Sequence, residues 1–229
     1  MDESLQTVNL GYAVPSVEQR NRVLRNTYWL LALSMVPTVL GAWIGVSTGI
    51  MTTMGVGMTF IVFMLGAFGF IYAIEKTKNS AAGVPVLLGF TFFMGLMLSR
   101  LIGHILGFAN GTALIMVAFA GTGVTFFGMA VLSSIIKRDL STMGKFLYIG
   151  AIMLLVAIIA NLFLQSSALF VTIAVLMVGI FSAFIVYDLK RVRDGEETNY
   201  ISATLSIYLD LYNIFQALLS LLGIAGSRD

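Results

Sequence analysis

Seven long apolar runs divide the chain: 27–46, 54–74, 81–106, 111–136, 146–165, 167–187 and 200–225. Each is near or above the roughly 20 residues that an α-helix needs to cross a bilayer. The third and fourth are long enough to predict a tilt. No segment alternates in the manner of a strand, and the polar connections are short. The pattern predicts an all-α integral membrane protein, a single seven-helix transmembrane domain over 27–229 behind a polar N-terminal tail, 1–26. Pro37 and Pro85 fall inside the first and third runs, where a missing N–H predicts kinks. Gly41 and Gly45 form a GxxxG, and the fourth run carries Gly121, Thr122, Gly123, Thr125 and Gly128; such small residues predict close helix packing.

The last run differs from the others. Written as a helix, its small and polar residues Ser202, Ser206, Asp210, Asn213, Ala217 and Ser220 fall on one line, at steps that average the 3.6-residue period. The rest of its surface is Leu, Ile, Tyr and Phe. A carboxylate at mid-stripe is expensive in lipid, so this face is expected to meet protein, a partner or water. The other six runs read as the wall around it.

Charge sets the orientation. Lysines and arginines number three before the first run and two, three and three in the connections 75–80, 137–145 and 188–199. The alternate segments 47–53, 107–110 and the link between runs five and six have none, and the C-terminus has Arg228 alone. The positive-inside rule then puts the N-terminus in the cytoplasm and the C-terminus on the far side.

Composition narrows the function classes. The 229 residues are 59% hydrophobic and 10% charged, with a mean hydropathy of +0.96; soluble domains carry about 25% charged residues. A net charge of +2 makes no case for nucleic acid. The absence of cysteine removes disulfides, thiolate catalysis and Cys-based metal sites, and the single His104 cannot supply a multi-histidine centre. Arg20, Arg22 and Arg25 precede a first run long enough to span, so that run is expected to be a retained anchor and not a cleaved signal.

Few ionisable residues lie in or beside the runs. Asp210 sits about 15 Å into the seventh, at about 1.5 Å per residue. It is either a titrating functional group or a polar core residue bonded to Asn213 or a nearby serine. Asp188 closes the sixth run beside Lys190 and Arg191, and reads as an interfacial carboxylate paired with them or as a partner of Asp210. If the sixth helix continues a turn past Asp188, the two carboxylates approach on the inner half of the bundle. Close carboxylates do not both ionise cheaply and would share a proton. Arg100 and His104, four apart on one face, read as an outer-interface pair, a charged outer mouth or a partner for a carboxylate. Glu75 and Lys76 end the second run at the interface. Tyr208, Tyr212 and Phe215 read as packing, with Tyr208 able to bond a carboxylate.

Several chemistries fail on missing residues. No lysine in the last run could hold retinal, and no GxSG serine is present for rhomboid-type proteolysis. Intramembrane aspartyl proteolysis keeps Tyr187-Asp188, but Tyr208-Leu209-Asp210 lacks the glycines of the second motif. No nucleotide-binding loop is present. No enzyme and no cofactor are expected.

Four segments carry a family resemblance: Lys137-Arg-Asp-Leu-Ser141, Tyr187-Asp188, Gly195-Glu-Glu-Thr-Asn-Tyr200 and, most specific, Ser206-Ile-Tyr-Leu-Asp-Leu-Tyr-Asn-Ile-Phe215. From about Arg22 to Asp229 the chain resembles the bacterial branch of the Bax inhibitor-1 family. That resemblance implies a seven-helix bundle with the seventh helix central and a pH-sensitive calcium leak, calcium being the permeating ion. The proton-sharing pair would match Asp188 and Asp210, with Ser202, Ser206, Tyr208 and Asn213 lining or supporting the path. In such members an arginine at the inner end of helix two latches onto the pair. Here that stretch, Ala73–Lys78, has no arginine, and Lys76 is the available substitute, without the bidentate fork. Some bacterial relatives instead resemble regulators of an ATP-dependent membrane protease. That is the alternative reading: an interaction protein of the bacterial inner membrane without transport of its own.

Overall fold

The computed structural model describes residues 16–226 and places them in eight helices, with no strand among them. They are α1 (Val17–Thr48), α2 (Ile50–Thr53), α3 (Val56–Thr77), α4 (Gly83–Leu106), α5 (Gly111–Ile135), α6 (Ser141–Leu164), α7 (Ser167–Asp194) and α8 (Tyr200–Gly226). All but the single-turn α2 are long and apolar enough to cross a membrane.

Two helices extend beyond their apolar runs. α1 begins ten residues before the expected 27, because Ser16 and Gln19 form a capping box that satisfies the first free N–H groups. Its polar first turns therefore belong to a helix of 32 residues, about 48 Å long and longer than the hydrocarbon core. Residues 1–15 of the predicted tail lie outside the described residues. α7 continues from 187 to Asp194 and stops at Gly195, whose φ of 85° only glycine adopts freely. Asp188 is thus inside the helix, with more than a turn after it.

Packing follows side-chain size. α1 and α4 share the most extensive contact. Gly41 sits against the Phe92 carbonyl, Gly45 against Ser99, and Gly95 against the Thr38 carbonyl; a Cβ at any of them would overlap its neighbour. The small residues of α5 are used differently, since Gly123 and Gly128 have nothing for a Cβ to meet. Pro85 is the third residue of α4, where its missing N–H has no intrahelical acceptor to lose. α1 continues through Pro37 as one helix.

α8 is the least hydropathic of the seven spans and the most buried. Of its apolar window 44% is buried, against 6% in α6, and its only exposed residue is Ala225. It packs on α1, α3, α4, α5 and α7. The relation is physical: a helix that meets protein on most sides needs no lipid-matched surface. Its residues Ile207, Tyr208 and Ile214 join Leu87, Phe90, Leu30 and Ile185 in the main core cluster.

Candidate functional site

Asp188 lies about two turns from the end of α7, on the side of the loop lysines and arginines, and Asp210 lies deeper, ten residues into α8. Asp188 on α7 is 6% exposed and Asp210 on α8 is 4% exposed. They lie within electrostatic reach of each other and of the Tyr148 ring system on α6. No hydrogen bond joins them, and each keeps one buried oxygen without a hydrogen-bond partner, Oδ1 of Asp188 and Oδ2 of Asp210. The Ser202 hydroxyl, two turns before Asp210 on the same stripe, is a third orphan. Buried polar atoms are normally satisfied, and leaving one unpaired costs about 1–3 kcal/mol. The two aspartate oxygens, on adjacent α7 and α8, are acceptors that a shared proton or a water would satisfy. No third acidic or histidine side chain joins the pair among the described residues.

The cation facing Asp188 comes from its own helix, and the Glu197 carboxylate of the α7–α8 connection also lies within electrostatic reach. Arg191, one turn on, places Nη1 3.8 Å from Asp188 Oδ1 and Nε 3.8 Å from Glu196 Oε2. Its guanidinium also lies 5.6 Å from the centre of the Tyr187 ring. Lys190 turns away to Asp194. Asp188 is therefore a buried carboxylate with one cation beside it, not a solvated interfacial one. Lys76 does not reach the pair. It is exposed over the Tyr72 ring at 5.6 Å, because the last turn of α3 directs it outward.

The remaining stripe divides in two. Ser206 is half-buried near the carboxylates. Asn213 donates to its own helix at the Leu209 carbonyl (2.8 Å), and with Ala217 and Ser220 it lines a cavity of about 480 Å³ in the other half of the bundle. Tyr208 bonds neither aspartate. Its hydroxyl meets Thr38 Oγ1 at 2.9 Å and donates to the Thr91 carbonyl at 3.4 Å, tying α8 to α1 and α4. Arg100 and His104 do not pair. Arg100 Nη1 donates to the carbonyls of Met51 (3.3 Å) and Met54 (2.9 Å) and to Thr59 Oγ1 (3.3 Å), while His104 is exposed with its ring edge-on to Phe108.

Two residues matter that the sequence reading passed over. Asn199 accepts from the N–H groups of Ile201 and Ser202, capping α8, and donates to the Lys78 carbonyl and Asn79 Oδ1. It pins the start of α8 to the α3–α4 turn. Its signal was an Asn immediately before an apolar run. Arg193 reaches the Ser133 and Ile136 carbonyls at the end of α5; nothing local announces that contact. Between α5 and α6, Asp139 accepts from the Ser141 N–H and hydroxyl, and these bonds hold its carboxyl below the usual carboxylate range.

A family model described as inhibitor of apoptosis-promoting Bax1 matches residues 20–227. The chain is similar to an uncharacterized membrane protein of Vibrio cholerae, 36% identical over 215 residues that cover 92% of this chain and 93% of that protein. It is also similar to the modulator of FtsH protease YccA of Escherichia coli K12, 34% identical over 214 residues covering 93% and 94%. The match is equal for the inner membrane protein YccA of a second Escherichia coli strain. With its seven apolar helices, the chain is a multi-pass protein of the bacterial inner membrane.

Proposed function

The chain belongs to the family of inhibitors of apoptosis-promoting Bax1, and on that premise we propose that it is a membrane interaction protein that modulates an ATP-dependent membrane protease, with no catalytic chemistry and no cofactor of its own. The observation that carries this is the likeness, over nine-tenths of both chains, to a protein named a modulator of FtsH protease. The shape of α1 is in keeping with it. Glu18, Gln19, Asn21, Arg22 and Arg25 are exposed on helical turns before the apolar run, as a polar projection that a partner can grip. The concentration of Lys and Arg at that end supports a cytoplasmic N-terminus, and the enclosure of α8 supports a central seventh span. The test is co-purification of the full chain with the protease from its own membrane, together with turnover of a membrane-protein substrate. Association and altered turnover are expected, both weakened by deletion of residues 1–20. A chain that neither co-purifies nor changes turnover refutes the reading.

A second reading rests on the orphan oxygens of Asp188 and Asp210: a calcium leak controlled by a proton shared between them, the two activities being compatible in one molecule. Calcium entry into dye-loaded liposomes, between about pH 6 and pH 8, is expected to vary with pH in wild type and to lose that variation in Asp210→Asn. An unchanged pH response in the variant removes the aspartates from any gate.

A further inference from the structure

The cavity of about 480 Å³ has no role in either reading. It lies over α8 between two helix pairs, α3 on α4 and α6 on α7, and it is not sealed from outside. Its apolar walls include Phe60, Phe63, Met64, Met94, Met177 and Phe181. Its polar residues Thr59, Arg100, Asn161, Gln216 and Ser220 gather at the end remote from the loop lysines. The flanks of α3 and α6 beside it are lipid-type surface, with Ile61, Leu65, Ile152 and Val156 exposed. We propose that this cavity is a binding site for one anionic glycerophospholipid, drawn from the leaflet at the end of the bundle opposite the Lys/Arg-rich loops, with an acyl chain between α3 and α6 and its phosphate at Arg100.

Three observations commit the site to that occupant. The space equals about sixteen waters at roughly 30 Å³ each, and its lining offers too few polar partners to hold that many. The exposed flanks of α3 and α6, which line it, are apolar, and in a membrane lipid is the abundant apolar molecule. Arg100 is half-buried and makes no ion pair among the described residues; only its Nη1 has hydrogen bonds, all to neutral oxygens. The connections at that end, 49–55, 107–110 and 165–166, contain no acidic residue to neutralise it. A guanidinium with free donors beside an apolar slot matches a phosphate on a hydrocarbon chain.

The full chain is purified in detergent, stripped of lipid and titrated with phosphatidylglycerol or phosphatidylcholine, with bound lipid counted by native mass spectrometry. One arginine near the surface gives an anionic lipid an advantage of about 1 kcal/mol, so phosphatidylglycerol is expected to bind about fivefold more tightly. Arg100→Gln should make the two lipids equal and Arg100→Lys should keep the preference. Since Arg100→Gln also strips the Met51 and Met54 carbonyls of their donor, Ala151→Trp serves as an independent variant; it fills the cavity, leaves Arg100 in place and should weaken both lipids. Equal binding of the two lipids by wild type overturns the proposal, as does a preference that survives Arg100→Gln or unweakened binding in Ala151→Trp. A free fatty acid that binds as tightly as phosphatidylglycerol overturns the assignment to a phospholipid.

Discussion

Replacing Arg191 by glutamine isolates the one cation beside the buried carboxylates. At 3.8 Å, a unit pair in a medium of effective dielectric constant about 20 attracts by about 4 kcal/mol. The net value is smaller. The Arg191 side chain is 29% exposed, the separation is too long for a hydrogen bond, and Glu196 shares the charge. Halving the Coulomb figure gives a loss of about 2 kcal/mol for Arg191→Gln, below the 3–5 kcal/mol seen when fully buried pairs are broken. The loss comes from leaving Asp188 buried without its cation, so it should be relieved when Asp188 is neutral. The assay is unfolding in detergent at neutral pH for wild type, Arg191→Gln, Asp188→Asn and the double variant. The expected cycle has a coupling of about 1–2 kcal/mol, with the double variant more stable than the sum of the single losses. Arg191→Lys should fall between, since it keeps the charge and loses the planar contact over Tyr187. An Arg191→Gln protein within about 0.5 kcal/mol of wild type, a typical surface effect, or losses that merely add in the double variant, would refute this account of the site.

Three other outcomes follow from contacts described above. Asn199→Ala should lose the α8 cap and both bonds to the α3–α4 turn, about 2–3 kcal/mol together, whereas Asn199→Asp keeps the cap and loses the bonds; amide exchange at 200–203 separates them, and equal protection in the two variants would deny the cap. Asp139 has a depressed folded-state pKa, so its capping contribution is present above about pH 3.9, its ordinary unfolded value, and is lost as pH falls through the lower folded value. Thermal melts of wild type and Asp139→Asn should therefore differ above that pH and converge on the acid side, and a gap that stays constant into acid would contradict it. Gly95→Val should drive the Thr38 backbone away and separate α1 from α4, at about 3 kcal/mol or more, and an unchanged melting temperature would show that the helices are not held that closely.

The spans and their order were legible because a helix in lipid must be apolar over a fixed length, and that constraint is written residue by residue. The stripe on α8 was legible for the same reason, since Ser202, Asp210 and Asn213 repeat at the helical period. The extent of α7 was not, because Lys190, Arg191 and Arg193 ended the apolar run while Gly195 ended the helix. Hydropathy reports the membrane boundary; capping reports the helix boundary. The partners of the polar groups were least legible. Tyr208 reaching Thr38 and Thr91, and Arg100 reaching the Met51 and Met54 carbonyls, depend on which helices become neighbours, and no local period records that. The cavity over α8 was invisible for a related reason: it is a space left between helix pairs, not a property of any one of them.

The enclosure of α8 has a consequence for how the molecule is made. The ribosome delivers α8 after the six other spans, yet α1, α3, α4, α5 and α7 all rest on it. Until it arrives, α1 can pack on α4 and α6 on α7, but the place α8 will take has no protein in it and lipid must occupy it. Assembly is thus an exchange in which the least hydropathic span displaces lipid from among the helices that will enclose it. A chain stalled before residue 200 would present an open, loosely packed bundle to the membrane's own surveillance.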